Sequence, residues 1–500
     1  MDNVGPKVFA SALWMMSAQW VERFFGIISM VILARLLLPD DYGMAALAQV
    51  VVLFFQIILS DGTEAYLIRK NSASEEDYNT AWSVRVLLFL FIGLLLFMTN
   101  EWIAELMDEP RLIDVLYVSA LSTIITGFRN VGIIKLTKEL NYRPLFYIKF
   151  LQKLVAFVVT LSIAFIYKNY WALVIGLLAM ECANVLLSYI YCAYRPKFTL
   201  QALAEQWSFT KWLFIGNITV FIRNKAITLL IPKYIGAGAL GMYAMAYQLA
   251  NMLAELVILP ILAPTLASYT SVRDDKNQFS DRVTKVLSVV SIILIPSYLG
   301  LYILSEEILL LVLGDNWLNI SPIFQMLLLF VFLQTYISAF TTILTSIGQV
   351  KLLAIVNWVL VIILLPTLIY VVINHGLEDA VLYRTVLAGL FALIFLLMVF
   401  KTVWLDWPKL IFSLIRPAIA ATIMAIVLAS LHSVTGPHSF SIVLLVLIGA
   451  IIYSICLVFI WSFYGRPLGG EAYILDKMLL VVKKVKILNC LIPVFTRLLK

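Results

Sequence analysis

Fourteen apolar stretches of roughly 20 residues each run almost end to end along the chain, separated by short polar turns. They fall at 12–36, 42–67, 80–99, 111–134, 145–167, 171–193, 210–233, 240–266, 283–305, 320–347, 352–374, 379–400, 414–433 and 439–462. A backbone inside hydrocarbon has no water to bond, so it must satisfy its own N–H and C=O groups, and a helix does this within one segment. The pattern therefore predicts an all-α, polytopic membrane protein with about 14 transmembrane helices. The first stretch has no small-residue cleavage site and reads as a helix, not a removable signal. The longest internal connections, around 195–209 and 267–282, hold about 15 residues and leave no room for a soluble catalytic domain.

Composition narrows the class further. The 500 residues are 63% hydrophobic and only 13% charged, with a mean hydropathy of +0.99, a balance outside the soluble globular range. Basic residues fall almost entirely on alternate loops. With a cytoplasmic N-terminus, the cytoplasmic side holds Lys7, Arg69, Lys70, the Lys135–Lys149 cluster, Arg195, Lys197, Lys211, the Arg273–Lys285 cluster, Lys351, Lys401, Lys409, Arg416 and the basic tail. The opposite side holds Arg111, Lys168 and Lys233, a ratio of about 25 to three. Both termini are thus expected in the cytoplasm. The net charge of +7 reflects topology and anionic headgroups, not a nucleic-acid partner.

An internal repeat organises the chain. Trp14, Arg35, Gly43, Met44, Ala46 and Ala48 correspond without a gap to Trp212, Lys233, Gly241, Met242, Ala244 and Ala246, at one offset (241 − 43 = 198). Six predicted helices separate the copies, so both copies enter the membrane in the same direction. The expected organisation is an N-terminal six-helix lobe (1–194), an amphipathic cytoplasmic linker (195–209), a C-terminal six-helix lobe (210–401), two additional helices (402–465) and a basic amphipathic tail (466–500).

Charges inside hydrocarbon cost several kcal/mol unless they face a partner or water. Glu22 and Arg23 sit near the middle of the first helix, and Arg223 and Lys225 near the middle of its repeat counterpart. Arg85, Lys153 and Arg384 are further embedded cations, and Glu181 and Glu255 embedded acids. Gln19, Gln56, Asn217, Gln248, Asn251 and Asn357 are polar positions within helices. Together they suggest a cationic, hydrogen-bonding cavity for an anionic, polyhydroxylated substrate. Its cations are Arg23, Arg223, Lys225, Arg85 and Arg384, with Glu22, Glu181, Glu255, Gln19, Asn217 and Asn251 as polar or coupling residues. The bland reading of each is an embedded structural pair, and Arg35, Lys233, Arg69 and Arg129, near helix ends, are expected to snorkel to headgroups.

Other motifs dissolve. Gly236, Gly238 and Gly241 match GxGxxG but follow no strand. Cys182, Cys192 and Cys456 lie in predicted helices and Cys490 in the tail, with no CxxC pair, and the histidines are scattered, so neither metal nor cofactor is expected. Pro260, Pro264, Pro296 and Pro366 interrupt predicted spans and are hinges or static kinks.

Several short stretches occur in an order that resembles the polysaccharide transporter family of the MOP superfamily, the Wzx-type flippases that include colanic acid and teichuronic acid exporters. Residues 33–43 (LARLLLPDDYG) are similar to the family's turn after its first helix. Residues 61–69 (DGTEAYLIR), 138–143 (KELNYR), 170–174 (YWALV), 239–243 (ALGMY), 273–275 (RDD) and 314–317 (GDNW) continue the series. Relatives often carry an Asp after the Asn of the seventh helix, whereas this chain reads Asn224, Lys225, Ala226, so no role of that Asp carries over.

The resemblance implies a MATE-like pair of lobes in the bacterial inner membrane. It also implies alternating-access export of undecaprenyl-diphosphate-linked oligosaccharide for O-antigen, capsule or exopolysaccharide. Partners would be the lipid-linked substrate, membrane lipids, and a polysaccharide polymerase and glycosyltransferases, with no enzymatic step in this chain. A peptidoglycan-precursor flippase and a cation-coupled multidrug exporter are the nearest rivals. A membrane glycosyl polymerase or ligase is the rival from another class, and the short outer loops argue against it.

Overall fold

The computed structural model describes residues 4–58, 63–70, 72–435, 439–467 and 469–484. Among them there is no strand. The helices are α1 (Val4–Leu36), α2 (Pro39–Ile58), α3 (Thr63–Arg69), α4 (Glu75–Leu106), α5 (Leu112–Gly127), α6 (Ile133–Lys138), α7 (Tyr142–Tyr167), α8 (Trp171–Tyr191), α9 (Leu203–Tyr234) and α10 (Ala237–Leu253). After a π-helical turn (Ala254–Ile258) follow α11 (Leu259–Leu262), α12 (Thr265–Thr270), α13 (Lys276–Ile303), α14 (Ser305–Val312) and a 3-10 turn (Asp315–Ile320). The described residues close with α15 (Ser321–Ser346), α16 (Val350–His375), α17 (Leu377–Thr402), α18 (Trp407–Thr435), α19 (Ser439–Phe463) and α20 (Gly470–Lys484).

Among the described residues, eleven helical segments are long and apolar enough to cross a bilayer by length and composition. Helices α2, α5 and α9 occupy the second, fourth and seventh expected spans. The fourth ends early, at Gly127, and α6 follows as a separate turn of helix. The eighth breaks where Pro260 and Pro264 remove backbone donors, giving the π turn and the short α11 and α12. A π turn shifts pairing from i+4 to i+5 and leaves carbonyls under-used. The Tyr298 hydroxyl donates to one of them, Ala250 O, at 2.9 Å.

The chain divides into two compact units, Met1–Met245 with Val361–Leu377, and Ala246–Leu360 with Glu378–Lys500. In the first, α1 packs on α7, α7 on α8, α4 on α5, α5 on α8, and α2 on α9. The start of α2 also meets the start of α10. A Cβ built on Gly43 would lie 1.7 Å from Ala237 O, and one on Gly241 1.7 Å from Pro39 O. The offset relating Gly43 to Gly241 also relates Pro39 to Ala237 (237 − 39 = 198). Equivalent helix starts thus cross with their backbones touching, each glycine making room for the other's first turn.

The 195–209 linker is bound down in this unit. Residues 192–200 carry no regular structure, and α9 begins at Leu203. An extended strand without a neighbour must find acceptors for its N–H groups. Helix α4, started by a Ser74–Asp77 capping box, presents Asn79, Thr80 and Ser83 for this purpose. Lys197 N donates to Asn79 Oδ1 at 2.8 Å, Thr199 N to Ser83 Oγ at 2.9 Å, and Ala202 N to Thr80 Oγ1 at 3.2 Å. Buried Gln206 donates to Asp77 O at 2.9 Å. Lys70 Nζ bridges Asp77 and Glu205 at 3.0 Å each. Hydrogen bonds from the Tyr66 hydroxyl and then Lys70 hold the Glu205 carboxyl below its ordinary range. Burial, and then the Glu75 charge, pushes the Tyr194 phenol up to about 12.

In the second unit α13 packs against α18 and α20, and α18 against α19. Ile292, Ala420, Met424, Leu428, Leu445 and Tyr453 form their shared core. The tail helix α20 is tied down by a buried ion pair: Arg416 donates from Nε and Nη2 to the two Glu471 oxygens, at 2.7 and 3.1 Å. Arg416, assigned by sequence to the cytoplasmic side, lies in α18 with its side chain 7% exposed, and Glu471 is 3% exposed. Removing one partner of such a pair costs about 3–5 kcal/mol because the other is stranded.

Two stability predictions follow from these contacts. Gly43→Ala should lower the thermal unfolding midpoint, at a cost of about 1–3 kcal/mol from forced separation of α2 and α10. Gly26→Ala, which meets nothing within 4 Å, should leave the midpoint unchanged, and equal effects would refute the backbone crossing. In the linker, Ser83→Ala and Thr80→Val should each cost about 1 kcal/mol, since each strands a backbone N–H. Glu205→Gln, at a side chain 58% exposed, should cost less than either; chemical denaturation of the three variants ranks them.

Candidate functional site

The first unit holds a cavity of about 310 Å³ between α1, α6, α7 and α8. Helical spacing builds it. Trp14 and Ala18 lie one turn apart on α1 beside Gln19, while Phe146, Lys149 and Gln152 repeat every three residues along α7. Arg129, just past the end of α5, and Asn184 of α8 complete the polar lining. The Trp14 and Phe146 rings meet at 5.1 Å between centroids, inclined at 58°, and Phe146 stacks with Phe150 at 6.1 Å and 10°. Lys149 Nζ lies 3.2 Å from Glu22 Oε2. Gln152 Oε1 is buried with no hydrogen-bond partner.

Aromatic faces beside amides and a cation suit a ligand with C–H faces and many hydroxyls. Gln152 has an acceptor to spare for such a hydroxyl, and Gln19, Asn184 and Lys149 bring donors. Charge beside the cavity is arranged around one acid. Arg129 Nη2 stands 3.4 Å and Arg85 Nη1 3.9 Å from the same Glu64 oxygen. Arg85 is buried and lies over the Phe89 ring at 4.8 Å.

A second cavity of about 260 Å³ lies between α2, α5 and α8 and is lined by Gln49, Gln56, Ser119, Ser122, Thr126 and Glu181 among others. Thr126 Oγ1 stands 2.8 Å from Ser122 O and 3.1 Å from Glu181 Oε2. A hydroxyl has one proton, so it cannot donate to both at once. A proton on Glu181 satisfies both contacts, and so does a cation held by the carboxylate and the hydroxyl lone pairs.

The sequence-selected residues divide between the units. Arg23, Arg223 and Lys225 are half-buried on α1 and α9 in the first unit, with Gln19, Glu22, Arg85 and Glu181. Arg223 Nε donates to Asn224 Oδ1 at 3.4 Å. Gln19 lines the first cavity and Glu181 the second. Arg384, Glu255 and Asn251 belong to the second unit. There Arg384 is buried over the Phe330 ring at 4.4 Å, Tyr247 lies 6.5 Å from the same ring, and Asn251 donates to Glu255 within the π turn. The Asn217 side chain lies outside the described residues.

Sequence reasoning passed over Trp14, Arg129, Lys149, Gln152 and Asn184 as site residues. Arg129 was expected to snorkel, yet it turns back to Glu64 because α5 stops one residue before Phe128. Lys149, assigned to the cytoplasmic side, lies two turns into α7, which begins at Tyr142. The available signal was the i, i+3, i+6 spacing of Phe146, Lys149 and Gln152.

With this geometry in place, comparison with known proteins is informative. Residues 32–322, more than half of the chain, match the family model described as "Polysaccharide biosynthesis protein". The chain is 26% identical over 382 residues to an uncharacterized membrane protein in the cps region of Klebsiella pneumoniae, covering 75% of this chain and 78% of that protein. It is 24% identical over 433 residues to the succinoglycan biosynthesis transport protein ExoT of Rhizobium meliloti, covering 85% and 87%. Its fold is similar to that of the lipid II flippase MurJ in an inward closed conformation, with a TM-score of 0.73, 16% identity, and coverage of 91% of this chain and 99% of that one. A multi-pass helical membrane architecture, a match spanning more than half the chain and transporter relatives covered over most of their length agree, and the chain belongs to the polysaccharide biosynthesis protein family, a family of transporters and not of enzymes.

Proposed function

We propose that this protein is a flippase that carries undecaprenyl-diphosphate-linked oligosaccharide across the bacterial inner membrane, for assembly of a surface polysaccharide. The observation that carries the reading is the first cavity, where the Trp14 and Phe146 rings adjoin Gln19, Gln152, Asn184 and Lys149. Sugars and a diphosphate lose their hydration in hydrocarbon at a prohibitive cost. A polar, aromatic-walled cavity lowers that cost while the polyprenyl tail remains in lipid. In this reading Arg23, Arg223 and Lys225 hold the diphosphate and the cavity holds sugars. Two like-oriented six-helix lobes alternate access, with the helices after residue 402 added outside the repeat.

Glu181, with Glu22 and Glu255 as alternatives, takes up a coupling cation, and Arg85 and Arg384 contribute positive potential. Both termini lie in the cytoplasm, where glycosyltransferases supply the cargo; a polymerase receives it on the other side. Net movement needs a gradient because the two leaflets offer the same lipid nearly equal solvation, which is why an embedded carboxylate belongs in the scheme.

The test is leaflet exchange of a fluorescent undecaprenyl-diphosphate oligosaccharide in proteoliposomes, read by accessibility to a membrane-impermeant quencher. Arg23→Ala and Arg223→Ala should each slow exchange by about tenfold or more, the worth of one charge-assisted hydrogen bond to phosphate. Arg35→Ala, an exposed residue near the end of α1, should leave it unchanged. Trp14→Ala should slow exchange of the glycan-bearing lipid more than that of undecaprenyl diphosphate alone. Unimpaired exchange in both arginine variants would remove them from the site, and faster exchange of a peptidoglycan precursor than of any polysaccharide unit would favour that cargo instead.

A further inference from the structure

The second unit contains a cavity of about 300 Å³ beneath α20, lined by Thr284 of α13, Lys409, Ser413 and Arg416 of α18, and Tyr464 and Gly469 of the segment that leads into α20. Its polar groups are mostly donors. Thr284 is 3% exposed, and its hydroxyl is buried with no hydrogen-bond partner. One turn further along α13, the buried Ser288 hydroxyl also has none. Isolated buried hydroxyls are costly, since each forgoes its bonds to water.

Arg416 uses Nε and Nη2 on Glu471, which leaves its Nη1 donors for whatever occupies the cavity. Lys409 adds an ammonium 2.6 Å from Asp281 Oδ1, at a side chain 44% exposed, so it can reorient. Other groups on the lining are already engaged: the Ser413 hydroxyl gives its proton to Leu410 O at 2.7 Å, and Pro467 O accepts from Trp461 at 3.1 Å. The ion pair that pins α20 also fixes the guanidinium at the cavity wall, and Lys285 stands over the Tyr473 ring at 4.1 Å to hold the same helix.

We propose that this cavity binds a phosphate group, held by the Thr284 hydroxyl, the free edge of the Arg416 guanidinium and the Lys409 ammonium. Donors that outnumber acceptors around a confined volume select an anion, and a tetrahedral oxyanion offers enough oxygens to meet all three at once. Glu471 and Asp281 offset the two cations, so the set is neutral overall and its choice of an anion rests on the direction of its donors. Basic residues concentrate on this face, which the charge asymmetry makes cytoplasmic. There the phosphate comes from an anionic lipid headgroup or from a soluble phosphate. Occupancy satisfies the buried hydroxyl and stabilises the docking of α20. The site is independent of the transport cavity and of its cargo.

The experiment uses the delipidated full-length protein in neutral detergent. Retention of phosphatidylglycerol against phosphatidylcholine is read by native mass spectrometry, and inorganic phosphate is titrated separately by thermal shift. The expected result is one tightly retained phosphatidylglycerol per chain, or a saturable rise in melting temperature with phosphate. The first identifies a lipid source and the second a soluble one. Thr284→Val and Lys409→Gln should each weaken that binding by about tenfold, with the ligand-free melting temperature showing that both variants fold. Equal retention of phosphatidylcholine, no binding by either probe, or binding unchanged in both variants would overturn the proposal.

Discussion

Polar groups that leave water for hydrocarbon must find partners inside the protein, and most of the specific architecture here answers that demand. The same requirement acts at three scales. Along the backbone it makes every crossing helical. Between helices it brings Lys149 to Glu22, Arg129 and Arg85 to Glu64, and Arg416 to Glu471. An aromatic face also serves a buried cation, as Phe330 does beneath Arg384. Where a cavity opens, partners are incomplete: the Gln152 carbonyl and the Thr284 hydroxyl are both buried with nothing to bond. Those two positions have chemistry left to offer a ligand.

Close packing is the second organising constraint, and in a membrane it depends on small residues, since lipid is as apolar as leucine and supplies no hydrophobic drive between helices. The crossing at Gly43 and Gly241 is the sharpest case. The glycines occupy equivalent places in the two copies of the repeat, and each opposes the first turn of the other's helix. A sequence repeat is ordinarily evidence of shared ancestry; here it also specifies a contact, because a side chain on either copy would push both backbones apart.

The linker and the tail helix follow the same rule. The segment after α8 has no sheet to join, so Asn79, Thr80 and Ser83 act as a ladder of acceptors along one face of α4. The exposed Lys70 bridge to Glu205 adds little beside them, because solvent screens it. The tail helix α20 is instead anchored by a pair buried in the body of the second unit. There a low dielectric makes the interaction strong and its disruption costly.

Read alone, the chain determined the helical class, the near-continuous succession of membrane segments, and the expectation of embedded charge, because hydropathy and backbone satisfaction act locally and need no knowledge of neighbours. It also supplied the family resemblance, carried by short turns such as 33–43 and 314–317 that the later comparison bore out. Individual chemistry was less legible. Gln19 and Glu181 each line a cavity, as do Arg129 and Lys149, which looked like interfacial or loop cations, and Arg416 is buried against Glu471. A residue's place along its own helix sets only its depth and face. Whether that face meets an acid, an aromatic ring or an open cavity is decided by a helix that can lie 50 or more residues away, as Glu471 does from Arg416, and tertiary packing alone brings the two together.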